Sequence, residues 1–242
     1  MDKWIVKSNI GSSVKLKNPI LIEGLPGIGN VGKIAVDFLI DQLDHKIMYT
    51  IYSKSFPHSV FVNDGNIIEM PSVTLYSVKL ANRDLMLLSG DVQPVDEESS
   101  YEFSNLIVEL AHKHGLKIVA HCIAGLPEEK EDGLLRQVQE INKANCHGIK
   151  FHQLMVLRKT ILAKQWMNGE IELLDDKQYI QKVADALEIL QPEIIVHRLV
   201  AEAQESEYLA PKPWPGRQSV HSRIELEMQL RGSVQGCKSK TP

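Results

Sequence analysis

Residues 19–37, PILIEGLPGIGNVGKIAVD, place an apolar, β-branched run, a glycine-rich turn and a helical pattern in direct succession. This order constrains the fold more than any other feature, because a strand that feeds a helix through a tight turn builds a sheet with a helix laid over it. PILIEG (19–24) is the strand. Residues 31–43, VGKIAVDFLIDQL, carry Val31, Ile34, Ala35, Phe38 and Leu39 at helical spacing, so they predict a helix whose apolar stripe these residues form.

The alternation continues along the chain. KIMYTIY (46–52) reads as a strand, residues 60–81 as a meander or hairpin, and DLMLLSGD (84–91) as a buried strand. A helix spans 97–114 and stops at His114-Gly115, with glycine in its usual C-terminal place. KIVAHCIAG (117–125) is a strand. Helix 129–144, strand 148–157, helix 161–168, helix 175–190, strand 193–200 and a final helix near 218–231 follow, with a loop over 204–217 and a frayed tail after Gly232. The expectation is an α/β, three-layer αβα-like fold with a mixed, largely parallel sheet.

The turn itself carries Gly27, Gly29 and Gly32 as GxGxxG between strand and helix, the context of a dinucleotide fingerprint. The acid expected after the second strand is missing: Tyr52, Ser53 and Lys54 stand there. The same stretch nearly spells a phosphate loop ending in Gly32-Lys33, but Ile34 replaces the Ser or Thr that holds magnesium. Both nucleotide readings fail at a defining residue, which favours glycines that let helix and sheet pack closely.

A net charge of −4 excludes a global basic field for nucleic acid. No apolar run approaches a membrane span, and MDKWIVKSNI has no secretory h-region, so a cytoplasmic chain is expected. Cys122, Cys146 and Cys237 are widely spaced and form no CxxC, so free thiols are predicted. His121 beside Cys122 makes a poor chelate, because neighbours on a strand point to opposite faces.

Three segments in order, GLPGIGNVGKIAVDFLI, DLMLLSGDVQP (84–94) and SYEFSNLIVELAHKHGLK (100–117), resemble the proteasome assembly chaperone family, especially its archaeal members. The resemblance covers residues 1–120. It implies an α/β sandwich, homo-oligomerisation and binding to proteasome α-subunits, and a loose assignment to the ATP-grasp superfamily goes with it. It places the crevice or partner surface at Pro26, Gly27, Ile28, Gly29 and Asn30 together with Gly90, Asp91, Gln93 and Pro94. Some relatives dock through a C-terminal hydrophobic-Tyr-X tail, whereas this chain ends Ser239-Lys240-Thr241-Pro242.

From residue 121 the resemblance changes. HCIAGLPEE (121–129), residues 147–180 and LEILQPEIIVHRL (187–199) are similar to the carboxyl half of a radical SAM subfamily, which implies later strands of a partial (β/α) barrel. That likeness assigns Gly125, Glu129, His152, His197 and Arg198 to an S-adenosylmethionine pocket. The cysteine triplet of the iron–sulfur cluster lies in the half that is not represented, so no cluster and no reductive cleavage is expected. The two resemblances meet near Gly125-Leu126-Pro127, a strand end common to both families, and divide the chain into 1–120 and 121–242.

Other groups have simpler readings. His152 and His197 sit in apolar strands, as core or crevice histidines rather than a general base. The acid runs Asp96-Glu97-Glu98 and Glu128-Glu129-Glu131-Asp132 fall at predicted helix starts, where carboxylates favour the positive dipole end. Residues 212–217, KPWPGR, read as a rigid loop with its Trp tucked in. The function expected is a non-catalytic, cofactor-free protein-binding module; the alternative is a radical SAM remnant that binds S-adenosylmethionine without a cluster.

Overall fold

The computed structural model describes residues 3–10, 15–26, 30–62 and 65–239. Two compact units divide the chain, one ending at Lys117 and the other beginning at Ile118.

The first unit contains β1 (Trp4–Ser8), β2 (Ile20–Gly24), α1 (Val31–Gln42), β3 (His45–Ser53), β4 (Phe61–Val62), β5 (Ile68–Glu69), β6 (Val73–Lys79), β7 (Asp84–Gly90) and α2 (Glu97–Lys113). Five strands form a mixed sheet in the order β1-β3-β6-β7-β2, and β4 pairs with β5 as a separate hairpin. Only the β2–β7 pairing in the five-stranded sheet is parallel, because β3, β6 and β7 follow one another as antiparallel neighbours.

Strand alternation assigns a helix to each face. Tyr76 lies opposite Leu87, and both pack with Val36, Leu39 and Ile40 of α1. Tyr49 lies opposite Leu75, which lies opposite Leu88, on the other face. There the Tyr49 hydroxyl meets His114 Nε2 at 2.9 Å at the end of α2. Trp4, Phe56 and Phe103 add an aromatic cluster, with ring centroids 5.5–6.2 Å apart. The unit is a three-layer αβα arrangement. The acid run at the head of α2 acts as expected: Asp96 accepts from Ser99 N and Ser99 Oγ, each at 2.8 Å, with Glu97 and Glu98 in the first turn.

The second unit contains β8 (Val119–Ala124), α3 (Gly133–Lys143), β9 (Gly148–Gln153), β10 (Val156–Leu157), α4 (Ile161–Met167), α5 (Asp176–Ile189), β11 (Ile195–Arg198), β12 (Tyr208–Ala210) and α6 (Arg217–Leu230). Its main sheet, β11-β9-β8, is wholly parallel. Side chains of α3, α5 and α6 share one core with Cys122, Ala124, Ile149 and Phe151, so these helices cover a single face. Asp175 and Gln178 close a capping box that starts α5.

Several expectations are corrected here. The second acid run ends at a helix start but does not enter the first turn: α3 begins at Gly133, and Asp132 stands at its N-cap position without a side-chain cap bond. The 148–157 strand is two strands in different sheets, and the 204–217 loop contains β12, which pairs with β10. Trp214 does tuck in, packing edge-on to Tyr179 at 5.6 Å. The described part of the tail, residues 233–239, is stitched to α5 rather than frayed: Gly236 N donates to Leu187 O at 3.0 Å, and Lys238 N to Glu188 O at 2.7 Å.

Candidate functional site

The two segments that the resemblance assigns to a crevice follow β2 and β7, parallel strands that end side by side. The Gln93 amide donates to Pro26 O and so joins the loop after β7 to the loop after β2. Asn30, in the left-handed region (φ 53°), sets the entry into α1. Lys33 Nζ pairs with Asp37 at 2.6 Å and with Asp91 at 3.0 Å. Ser89 Oγ donates to Asp37 Oδ1 at 2.6 Å. Burial works against the Lys33 charge, but hydrogen bonds to Asp37 and Asp91 prevail and hold its pKa above the ordinary lysine value. The ammonium that a phosphate loop would present to its ligand is therefore held between two carboxylates.

Of the predicted residues, Pro26, Asn30, Gly90, Asp91, Gln93 and Pro94 are described and lie on these strand ends and loops; Gly27, Ile28 and Gly29 lie outside the described residues. Gly90 serves the sheet itself, since a Cβ there would stand 2.8 Å from Val73 Cγ2. Close packing of α1 on β2 depends on Gly24, where a Cβ would lie 2.5 Å from Val36 Cβ and 2.7 Å from Gly32 O. Gly32, the last glycine of the fingerprint, has its nearest such neighbour at 3.8 Å. On the α2 side, Glu23, Leu25, Gln93, Pro94, Phe103 and Ile107 line an open cleft of about 340 Å³, and burial pushes the Glu23 carboxyl up.

The outer surface of α1 was not anticipated. Val36, Leu39 and Ile40 face the sheet. Val31 is 73% exposed, Ile34 64% and Phe38 61%, so most of the predicted stripe points away from the sheet. At the adjoining sheet edge, Ile20 and Ile22 lie opposite Leu85 and Leu87 on the α1 face and are themselves exposed. The helix is apolar on two sides. A helix with that pattern is completed by burying its second side.

In the second unit several of the five residues assigned to S-adenosylmethionine are engaged in contacts within the fold. Gly125 has φ +81°, and the space beside it holds Leu174, whose Cγ would lie 2.9 Å from an added Cβ. Glu129 is folded back: its carboxylate accepts from Gly125 N at 3.3 Å and from Gln137 Nε2 at 2.7 Å. Gln137 also pairs with both backbone groups of Ile123, at 3.2 and 2.9 Å. His152 stacks on His121, with ring centroids 5.1 Å apart. The His197 imidazole lies over Gly148, where a Cβ would come within 2.5 Å of Nε2. A cleft of about 450 Å³ at the end of β11 is lined by His197 and Arg198 together with Arg217 and His221. With Leu174 beside Gly125, and Glu129 turned onto Gly125 N and Gln137, these two residues do not fit the S-adenosylmethionine assignment.

Among the described residues, no group of three or more His, Cys, Asp and Glu side chains is placed to hold a metal ion. The three thiols are free, with Cys122 and Cys146 buried and Cys237 exposed. No helix among the described residues is long and apolar enough to cross a membrane.

The PAC2 family model matches residues 21–228. The chain belongs to the PAC2 family. The PAC2 match runs past residue 120, where the sequence resemblance to assembly chaperones was expected to stop, and extends through both units. Among curated proteins, this PAC2 chain is similar to the uncharacterized protein YtqA of Bacillus subtilis, 31% identical over 66% of the chain and 52% of YtqA. The chain spans about half the length of the curated relatives it matches. Among solved structures it is similar to Pyrococcus furiosus PbaB, an archaeal proteasome activator, with 20% identity, a TM-score of 0.45, and coverage of 96% of this chain and 99% of PbaB. It is also similar to Methanocaldococcus infernus Elp3, with 18% identity, a TM-score of 0.51, and coverage of 56% of this chain and 32% of Elp3.

Proposed function

We propose that this PAC2 chain is a non-catalytic protein-binding module of the proteasome assembly chaperone type, engaging proteasome α-subunits in the cytoplasm without a cofactor. The observation that carries this reading is the outward face of α1, where Val31, Ile34 and Phe38 stand exposed beside Ile20 and Ile22. Contiguous apolar surface of this kind is a mark of a protein interface. Nearby, the Gln93–Pro26 hydrogen bond ties the segment after β7 to Pro26, and Lys33 with Asp37 and Asp91 ties it to α1. A braced surface loses little conformational entropy on docking. Membership of the PAC2 family supports the choice of partner.

The test is capture of archaeal proteasome α-subunits by the purified full-length chain, with Ile34→Glu and Phe38→Glu variants alongside. Saturable capture that both variants reduce at least tenfold, with unchanged circular dichroism, is the expected result. Failure of capture, or capture indifferent to both substitutions, would overturn the proposal. Light scattering distinguishes the remaining occupant: a dimer dispersed by the same substitutions would assign the α1 face to a second copy.

A further inference from the structure

The three parallel strands of the second unit carry helices on one face only, and the other face collects cations. Cys122, Ala124, Ile149 and Phe151 turn into the core. By alternation the opposite row presents His121 and Ile123 from β8 and Lys150 and His152 from β9. A register shift after Val196 brings Arg198 of β11 opposite Lys150, which in turn lies opposite His121. Neighbouring strands lie about 4.8 Å apart, so three nitrogen-bearing side chains occupy one row roughly 10 Å wide. His152, opposite Ile123 in the next row, lays its ring against His121.

This group lacks counter-charge. Neither Lys150 nor Arg198 forms an ion pair among the described residues. Besides burial, the influences on the two rings come from Lys150, Arg198 and, for His152, His121, and all act to lower their pKa. His152 Nε2 is buried without a hydrogen-bond partner. Buried polar atoms are nearly always paired, and an uncompensated row of cations repels itself. An anion supplies what both lack.

We propose that this open sheet face binds a phosphate-type oxyanion carried by a small molecule, gripped by Lys150 and Arg198 and flanked by the His121–His152 pair. Arg gives a planar fork and Lys a point charge, the two usual partners of phosphate. The exposed Ile123 offers apolar surface next to the imidazoles for the rest of such a molecule. Like charges disfavour a second copy of the same face. A basic area one row wide in a chain of net charge −4 lacks the extended basic footprint of nucleic-acid binding. S-adenosylmethionine, with a sulfonium, an ammonium and one carboxylate, is a net cation and is opposed by the same field.

Calorimetric titration of the full-length chain with inorganic phosphate and with phenyl phosphate tests the site, with histidine-ring NMR as a second readout. Saturable one-to-one binding is expected, with ring shifts at His121 and His152. Lys150→Gln and Arg198→Gln should each weaken it at least tenfold, while Lys212→Gln, which removes a lysine lying over Tyr208, should leave it unchanged. Tighter binding of phenyl phosphate than of phosphate is expected of an oxyanion carried by a small molecule; equal or weaker binding would overturn that part of the proposal. Absence of saturable binding, indifference to both substitutions, or preference for S-adenosylmethionine would overturn the proposal. Ile34→Glu should leave this binding intact, so its fate is separable from that of α-subunit capture.

Discussion

Gln153 and Ala201 are joined by two hydrogen bonds: Gln153 Nε2 donates to Ala201 O at 2.8 Å, and Ala201 N donates to Gln153 Oε1 at 3.0 Å. Both residues are 3% exposed. One side-chain amide thus satisfies the backbone of a buried residue beyond the end of β11, where no strand is available to do so. Gln153→Leu keeps the volume but orphans both groups, and should cost about 2–4 kcal/mol. A urea midpoint lowered by less than the equivalent of about 1 kcal/mol would show that other partners replace the amide.

Two glycines of the first unit should respond in opposite ways. Gly24→Ala forces a methyl against Val36 Cβ and Gly32 O and should destabilise by about 1–3 kcal/mol or more. Gly32→Ala enters open space at the start of α1 and should be neutral or stabilising by up to about 1 kcal/mol. Thermal melts of the pair decide the matter, and equal losses would contradict the assigned packing.

Asp84 and Glu188 make the fold sensitive to acid. Burial is the largest influence on each carboxyl and alone would raise its pKa. For Asp84, Lys79 at 2.6 Å and Lys17 N at 2.7 Å outweigh it; for Glu188, Lys238 and Arg231 do. Both carboxyls therefore stay ionised to lower pH in the folded chain than in the unfolded one. Their contribution is complete above the ordinary carboxylate range, near pH 4, and is lost as pH falls from there through their lower folded values. Unfolding free energies measured from pH 7 to pH 3 should drop below about pH 4, and Asp84→Asn and Glu188→Gln should each flatten that drop. An unchanged slope in both variants would count against the pairing.

The thiols should divide by exposure. Burial pushes Cys122 up to about 12 and also raises Cys146, whereas Cys237 is exposed. At pH 8 a thiol reagent should modify Cys237 quickly in the native chain and all three thiols in denaturant, because the thiolate is the reacting form. Rapid native labelling of Cys122 would show that its surroundings open readily.

Most of the first unit's elements are readable because strand and helix periods are local, but β1 (Trp4–Ser8) is not marked out by the sequence and shows itself only by pairing with β3. Which stripe of α1 meets the sheet was not readable: Val31, Ile34 and Phe38 share a spacing with one another, and so do Val36, Leu39 and Ile40, and only contact with Leu87 selects between them. Gly24 was overlooked because its role depends on a helix laid across the strand, which spacing does not encode. That the segments after β2 and β7 follow strand ends is legible in the sequence; that the strands are neighbours is not, and the brace formed by Lys33, Asp37 and Asp91 depends on helix and loop meeting in space. In the second unit the sequence marks His152 and Arg198, whereas it gives no sign of Lys150 and sets His121 only beside Cys122. Their grouping arises from parallel register between strands about 30 and 50 residues apart, long-range pairing that no local pattern carries. The tail's attachment to α5 rests likewise on Gly236 and Lys238 reaching Leu187 and Glu188.

The two hydrogen bonds from Gln137 to Ile123 have a consequence for how the second unit behaves in a crowded solution. β8 is the last strand of its sheet, and Gln137 occupies the donor and acceptor that a foreign strand would use at its middle. A side chain thereby sets where hydrogen-bonded growth stops. Replacing that glutamine with valine would unpair Ile123 and release Glu129, reopening the border and turning a guarded edge into a seed for fibrous aggregation.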